Sequence, residues 1–370
     1  MAATKKRIKL EKMTGLMGNK FRNTTADLRI DPGRHVYISI SKVLICIALA
    51  FFWVVILSQG IGAISELHRQ LTVRGTGMRW ARFFWVSYDI AVVGIILYCA
   101  GSGVLYSKCM AGWLFRILAL GYMAGVLLSG DRGGFIRFLP IPIMAFHYFQ
   151  KRIKLRWLVV AALALIFVSS VIGAVRKTAI FDVTKMAEEY KYVQPAEHGA
   201  IVSALVEFGG SIKVVGIAME LVPSRHRFWY GTSYIDSLQV VLPNIIPGIL
   251  REQKGIGPWI TEQAFGSTIH STWGRGGSIA MEAYMNLGTV GGIIFFVLLG
   301  AFYRFVYERF LARPDFLRTV LVLAVTSSFM LWIRNTVALS IRSLAWPFLL
   351  ALMLQYLFSG NKRSVGQVDT

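Results

Sequence analysis

Cationic side chains at the ends of apolar runs are the residues of this chain best suited to chemistry. Arg132 stands in Leu128-Ser129-Gly130-Asp131-Arg132-Gly133-Gly134, a turn between two hydrophobic stretches whose glycines would let the backbone approach a ligand. Arg176 and Lys177 close another stretch, and Arg334 and Arg342 bracket the turn between the last two. A guanidinium grips phosphate oxygens through paired hydrogen bonds, and a charge at membrane depth is costly unless paired or hydrated. Each has a bland explanation alone, since Arg132 could pair with Asp131 in a solvated turn and the others could snorkel to the interface. Together they describe an anion site, and a lipid pyrophosphate is the natural ligand for one at membrane depth.

Two residues could move a proton beside that site. Glu207, in Val206-Glu207-Phe208-Gly209-Gly210, is an acid within an otherwise apolar run. It could serve as a general base, or equally form a structural salt bridge. His270 lies in a glycine- and hydroxyl-rich loop, five residues before Arg275. There an imidazole could deprotonate a hydroxyl while the arginine holds a phosphate, although a lone loop histidine is more often incidental. Glu282 opens the next apolar run, where an acid also favours a helix N-terminus. The sequence has no HExxH, paired CxxC or close Asp-x-Asp pattern, so no metal site is expected. Nor is any cofactor, because Gly274 to Gly277 lacks the lysine and spacing of a nucleotide loop; those glycines are expected to allow a bend.

The elements that must position these groups are membrane spans. The chain has 370 residues, 55% of them hydrophobic, and a positive mean hydropathy of +0.56. Its long apolar runs approach the roughly 20 residues that cross a hydrocarbon core about 30 Å thick, and in lipid such runs must be helices. The fold class expected is an all-α polytopic membrane protein with about eight transmembrane helices, near 43–64, 83–105, 111–128, 133–150, 157–175, 284–303, 317–334 and 338–358. A basic cytoplasmic tail (1–42) precedes a first bundle (43–175), a large periplasmic loop (176–283), a second bundle (284–358) and a cytoplasmic tail (359–370). Within the loop, the stretches Ala200 to Val222 and Ile235 to Leu250 read as interfacial or re-entrant helices.

The net charge of +21 does not indicate nucleic acid. Lys and Arg number 10 against 9 Asp and Glu in 176–281, out of 40 against 19 in the whole chain. The excess is juxtamembrane, as in Lys151 to Arg156 and Arg304 to Arg318, which the positive-inside rule places in the cytoplasm. The connection carrying Arg69, Arg74, Arg79 and Arg82 disagrees, since it falls outside in the same scheme. Cys46, Cys99 and Cys109 lie in or beside apolar runs and imply no disulfide framework. The basic N-terminal stretch leads into polar sequence, so the first span is expected to insert uncleaved.

Four blocks give the chain a resemblance to the O-antigen and oligosaccharide repeat-unit polymerases of bacterial inner membranes, the Wzy type, relatives in outline of O-antigen ligases. They are Ser129-Gly130-Asp131-Arg132-Gly133; Glu207-Phe208-Gly209-Gly210; Tyr230-Gly231-Thr232-Ser233-Tyr234 leading to Leu242-Pro243-Asn244-Ile245-Ile246-Pro247; and Gly276-Gly277-Ser278 through Glu282-Ala283-Tyr284-Met285-Asn286-Leu287-Gly288. The resemblance implies a GT-C-like fold and an inverting, metal-independent glycosyl transfer at the periplasmic face of the inner membrane. It implies a growing glycan on undecaprenyl pyrophosphate as donor and one lipid-linked repeat unit as acceptor, with membrane lipids, a chain-length regulator and a flippase as further partners. Arg132 matches an arginine that holds the pyrophosphate in these families and Arg176 would be a second, while Arg275, Arg334 and Arg342 join them as candidate ligands by position alone. Either Glu207 or His270 would be the base, and Tyr234 and Glu282 would belong to a substrate loop.

The chain departs from the family in being short, in carrying Asp131 where a small residue is common, and in lacking an Arg-x10-Gly pair of loops. Three alternatives stay open on the sequence: an O-antigen ligase, a transporter of lipid-linked sugars, and a noncatalytic envelope scaffold.

Overall fold

The computed structural model describes residues 34–59, 81–102, 110–128, 132–149, 152–161, 163, 210–239, 241, 256–265, 277–332 and 335–359. Among them the regular elements are all helices. Helices α1 (Arg34–Gln59), α2 (Ala81–Ser102) and α3 (Met110–Leu128) are followed by two short ones, α4 (Arg132–Phe138) and α5 (Pro140–Phe149). Three more short helices, α6 (Gly210–Leu221), α7 (Thr232–Gln239) and α8 (Ile256–Phe265), precede α9 (Ile279–Ala312), α10 (Phe316–Trp332) and α11 (Val337–Ser359). His35–Ser58, Ile279–Ala312 and Ser340–Phe358 are long and apolar enough to cross a bilayer, and Val86–Ser102, Trp113–Leu127 and Phe316–Phe329 are shorter apolar helices. The chain is a multi-pass helical membrane protein.

Helix boundaries differ from the sequence reading where local chemistry decides them. α1 begins at Arg34, not at Val43, because the stem of Lys42 can reach a headgroup from inside a helix and so does not end it. The span expected over 133–150 is two helices, since Pro140 has no N–H to continue the first and is well suited to open the second. A break lies inside α9 at Gly288, with φ 68° and ψ −172°, while residues 274–276 of the stretch expected to bend lie outside the described residues. Gly277 has another use, close approach: a Cβ there would stand 2.6 Å from Cγ2 of Thr336. The fifth span expected at 157–175 is helical at 155–161 and 163, beyond which it lies outside the described residues.

Apolar side chains gain little by leaving lipid for one another, so packing must come from close fit. α1 and α2 run antiparallel, Phe52 stacking on Phe84 toward one end at 5.8 Å. Toward the other end, a Cβ on Gly94 would stand 3.2 Å from both Ile45 and the Ser41 carbonyl. Tyr98 stacks on Phe115 of α3 at 3.7 Å, and Tyr88, Tyr122 and Phe138 meet edge to face. The same core extends through α5, α9, α10 and α11.

The two ends of this bundle differ. At one, Tyr37 stacks on Phe316, and Tyr148 and Phe149 pack on Phe310, so the start of α1, the end of α5 and the α9–α10 turn lie together. That end carries the basic cluster Arg309, Arg313 and Arg318. The opposite end holds the starts of α2, α9 and α11. There a second, smaller core joins Val214, Ala218 and Leu221 of α6 and Ile256 and Ile260 of α8 to Met281 and Met285 of α9. α6, at 12 residues, is about 18 Å long as described, well short of a hydrocarbon core.

Candidate active site

Three charged side chains from three helices converge at that opposite end. Asp89, about two turns into the apolar α2, is buried. Its Oδ1 accepts from Arg137 Nη2 at 2.5 Å, and its Oδ2 accepts from Arg342 Nη1 at 3.2 Å. Arg137 lies in the last turn of α4 and Arg342 in the second turn of α11. The side chains of Asp89, Arg137 and Arg342 are 6%, 9% and 17% exposed, so Arg342 is the one that faces outward most. Together these three groups carry one positive charge. Burial of that kind is tolerated when carboxylate oxygens and guanidinium donors match geometrically.

Neighbouring contacts fix the cluster in place. Ser327 of α10 donates to the Arg137 carbonyl at 2.9 Å, anchoring the end of α4. The Arg342 guanidinium lies over the ring of Trp346, one turn further along α11, at 5.8 Å. The Trp346 indole N–H donates to the Val241 carbonyl at 2.6 Å, which brings the chain just beyond α7 to the same face of α11.

A second polar junction sits beside the first. Glu282, buried in the first turn of α9, accepts from the Ser233 hydroxyl at 2.8 Å and from the Val337 N–H at 2.6 Å. It therefore satisfies a free amide at the start of α11 from another helix, a cap supplied in trans. Asn286, one turn on, donates to the Ser233 hydroxyl at 2.7 Å and accepts from the Gly231 N–H at 2.9 Å. The break at Gly288 leaves carbonyls of the preceding turn without helical partners, and the Trp229 and Tyr230 amides take those of Met285 and Asn286 at 3.0 and 3.1 Å. Tyr230 and Gly231, with φ of 47° and 86°, then turn the chain into α7.

Tyr234 of α7 stacks flat on Phe295, with ring centroids 5.4 Å apart and 4° between planes. Its hydroxyl is buried without a hydrogen-bond partner among the described residues. Burial pushes the pKa of this phenol up, and the nearby Glu282 carboxylate pushes it the same way, so it stays a neutral hydroxyl.

Of the residues singled out on the sequence, Arg342, Glu282 and Tyr234 are gathered at this end, Arg342 at the ionic cluster and the other two at the loop junction. Arg132 opens α4, the helix that delivers Arg137. Glu207, His270, Arg176, Arg275 and Arg334 lie outside the described residues. Sequence reasoning missed Asp89 and Arg137, although the signal was present: each is a charge inside an otherwise apolar run, the same mark that drew attention to Glu207. It also missed Asn286 and Trp346, whose partners are 55 and 105 residues away in the chain.

Fold and site together define an all-helical multi-pass membrane protein with a buried aspartate–arginine cluster beside its junction with a segment of short helices. The model of the O-antigen polysaccharide polymerase Wzy family matches residues 81–362, and the chain belongs to that family. The match takes in α2 to α11 and both polar junctions. It assigns the chain in general terms to repeat-unit polymerisation, a glycosyltransferase-like activity. No curated protein and no solved structure matches it.

Proposed function

We propose that this protein joins oligosaccharide repeat units carried on undecaprenyl pyrophosphate, by inverting, metal-independent glycosyl transfer at the periplasmic face of the inner membrane. The observation that carries the reading is the convergence of Arg137 and Arg342 on one buried carboxylate, beside the junction with the loop. The donor sugar leaves behind a pyrophosphate anion. Preorganised guanidinium groups in a partly dehydrated site stabilise that developing charge, and no nucleotide is needed because the donor carries its own leaving group. Arg342 is the principal ligand in this scheme, with Arg132, Arg176, Arg275 and Arg334 completing the rim. Glu207 or His270 removes the acceptor proton, and Tyr234 and Glu282 belong to the loop that orders the acceptor. Both substrates are confined to the bilayer, so positioning does much of the work. The fold is of the GT-C-like kind with about eight spans, and a chain-length regulator and a flippase are its pathway partners.

Purified protein given only lipid-linked repeat units is expected to build a ladder of longer glycans without ATP. Scrambling of the lipid across liposomes with no ladder would replace the polymerase with a transporter. Deleting the gene is expected to leave single repeat units on the lipopolysaccharide; loss of all repeat units would identify a ligase.

A further inference from the structure

Asp89 has a place in the charged cluster that its own chemistry does not explain. An acid in the apolar part of a span is expensive unless it is paired, and packing alone does not require one. Its two oxygens instead take one guanidinium each, Arg137 from α4 and Arg342 from α11. Arg342 is further constrained by the Trp346 ring beneath it. Two guanidiniums held to one carboxylate cannot swing independently, and the planar fork of each is directed by the oxygen it meets.

We propose that Asp89 is a positioning residue, one that aims Arg342, with Arg137 beside it, at the pyrophosphate oxygens as charge develops on them. The carboxylate touches no substrate. It also moderates the positive field, so that the leaving pyrophosphate is stabilised in the transition state without being retained afterwards. The inference rests on the reading of Arg342 as a pyrophosphate ligand, and it makes a demand that reading does not. Removing the negative charge of Asp89 should strengthen the binding of a free anion while slowing turnover, the signature of ground-state binding gained at the expense of transition-state complementarity.

The test uses full-length protein in proteoliposomes with lipid-linked repeat units, and inorganic pyrophosphate as a competing anion. For Asp89→Asn, kcat per folded protein is expected to fall about tenfold or more, while pyrophosphate inhibits at several-fold lower concentration. Asp89→Glu keeps the charge and is expected to recover part of kcat with wild-type pyrophosphate inhibition. Should Asp89→Asn fail to fold, Asp89→Glu carries the test: a lowered kcat with wild-type pyrophosphate inhibition is expected, and a fully wild-type kcat would overturn the aiming role. Arg342→Gln separates the two levels of the argument. If it weakens pyrophosphate inhibition while the Asp89 variants leave both kcat and inhibition unchanged, the positioning role is overturned and the anion site stands. If Arg342→Gln leaves inhibition unchanged, the anion site itself is overturned. If kcat of Asp89→Asn falls only in proportion to folded protein, with inhibition unchanged, Asp89 is structural and the proposal fails.

Discussion

Two acids stand at the same end of the helix bundle, and they are used in opposite ways. Asp89 meets charged partners, a guanidinium on each oxygen. Glu282 meets neutral ones, a hydroxyl and a backbone amide. The first arrangement sets two guanidiniums against one carboxylate. The second consumes the acid in joining three pieces of chain: α7 through Ser233, α11 through Val337, and its own helix α9. Burial alone therefore does not say what an acid is for; the type of partner does. Around Asp89 the loss of charge should matter most, and around Glu282 the loss of hydrogen-bond acceptors.

The largest effect should follow from removing Glu282 altogether. Glu282→Ala strands the Val337 amide and the Ser233 hydroxyl, and at about 1–3 kcal/mol for each buried unsatisfied group it should destabilise the protein by about 3 kcal/mol. A fall in Tm of the purified protein would show it. Glu282→Gln keeps one of the two acceptor oxygens and should restore part of that Tm. A Gln variant as unstable as the Ala variant would break the comparison, because the charge of Glu282 would then be the essential feature. Arg342→Gln should behave in the contrary manner, lowering kcat about a hundredfold, the usual scale for one electrostatic group at a developing anion, with little change in Tm. Activity lost only in step with folded protein would move Arg342 to the fastening side.

Gly288 tests whether the loop junction depends on the break in α9. Its φ of 68° with ψ −172° falls in a region essentially reserved for glycine, which a side-chain-bearing residue would occupy at a cost on the order of 1–3 kcal/mol. The space is not the obstacle, since a Cβ would stand at an ordinary 3.5 Å from Phe228. Gly288→Ala should thus lower Tm by less than Glu282→Ala and leave inhibition by pyrophosphate unchanged. A change in that inhibition would mean that the two junctions are mechanically one.

The spans were the legible part of this chain. Continuous apolar runs bounded by basic residues fixed α10 and α11 to within two residues of their expected ends. Boundaries slipped at single residues: Lys42 lies within α1 and does not end it, and Pro140, which has no N–H, opens a second helix. Arg342, Glu282 and Tyr234 were legible as residues of interest because each is polar next to an apolar run. Their partners were not, since Asp89 and Arg342 are 253 positions apart and nothing in local periodicity records which helix ends meet. Asp89 and Arg137 were in principle visible as intramembrane charges, but a pair split between two spans reads as two isolated anomalies until the topology sets them side by side.

Trp346 links the ionic cluster to the chain just beyond α7, and it gives the smallest and finest test. Its ring lies under Arg342 of the ionic cluster, while its N–H holds the Val241 carbonyl just beyond α7. Trp346→Phe keeps an aromatic face for the guanidinium and deletes only the hydrogen bond, worth about 1 kcal/mol. Amide exchange in α7 should therefore quicken several-fold while exchange in α2 around Asp89 is unchanged, and kcat should move by less than tenfold. Unchanged exchange in α7 would show that the Glu282 junction alone holds that helix. Quickened exchange in both α7 and α2 would show instead that the loop and the arginine cluster open together, so that closing the loop over the acceptor and aiming Arg342 at the donor would be a single event.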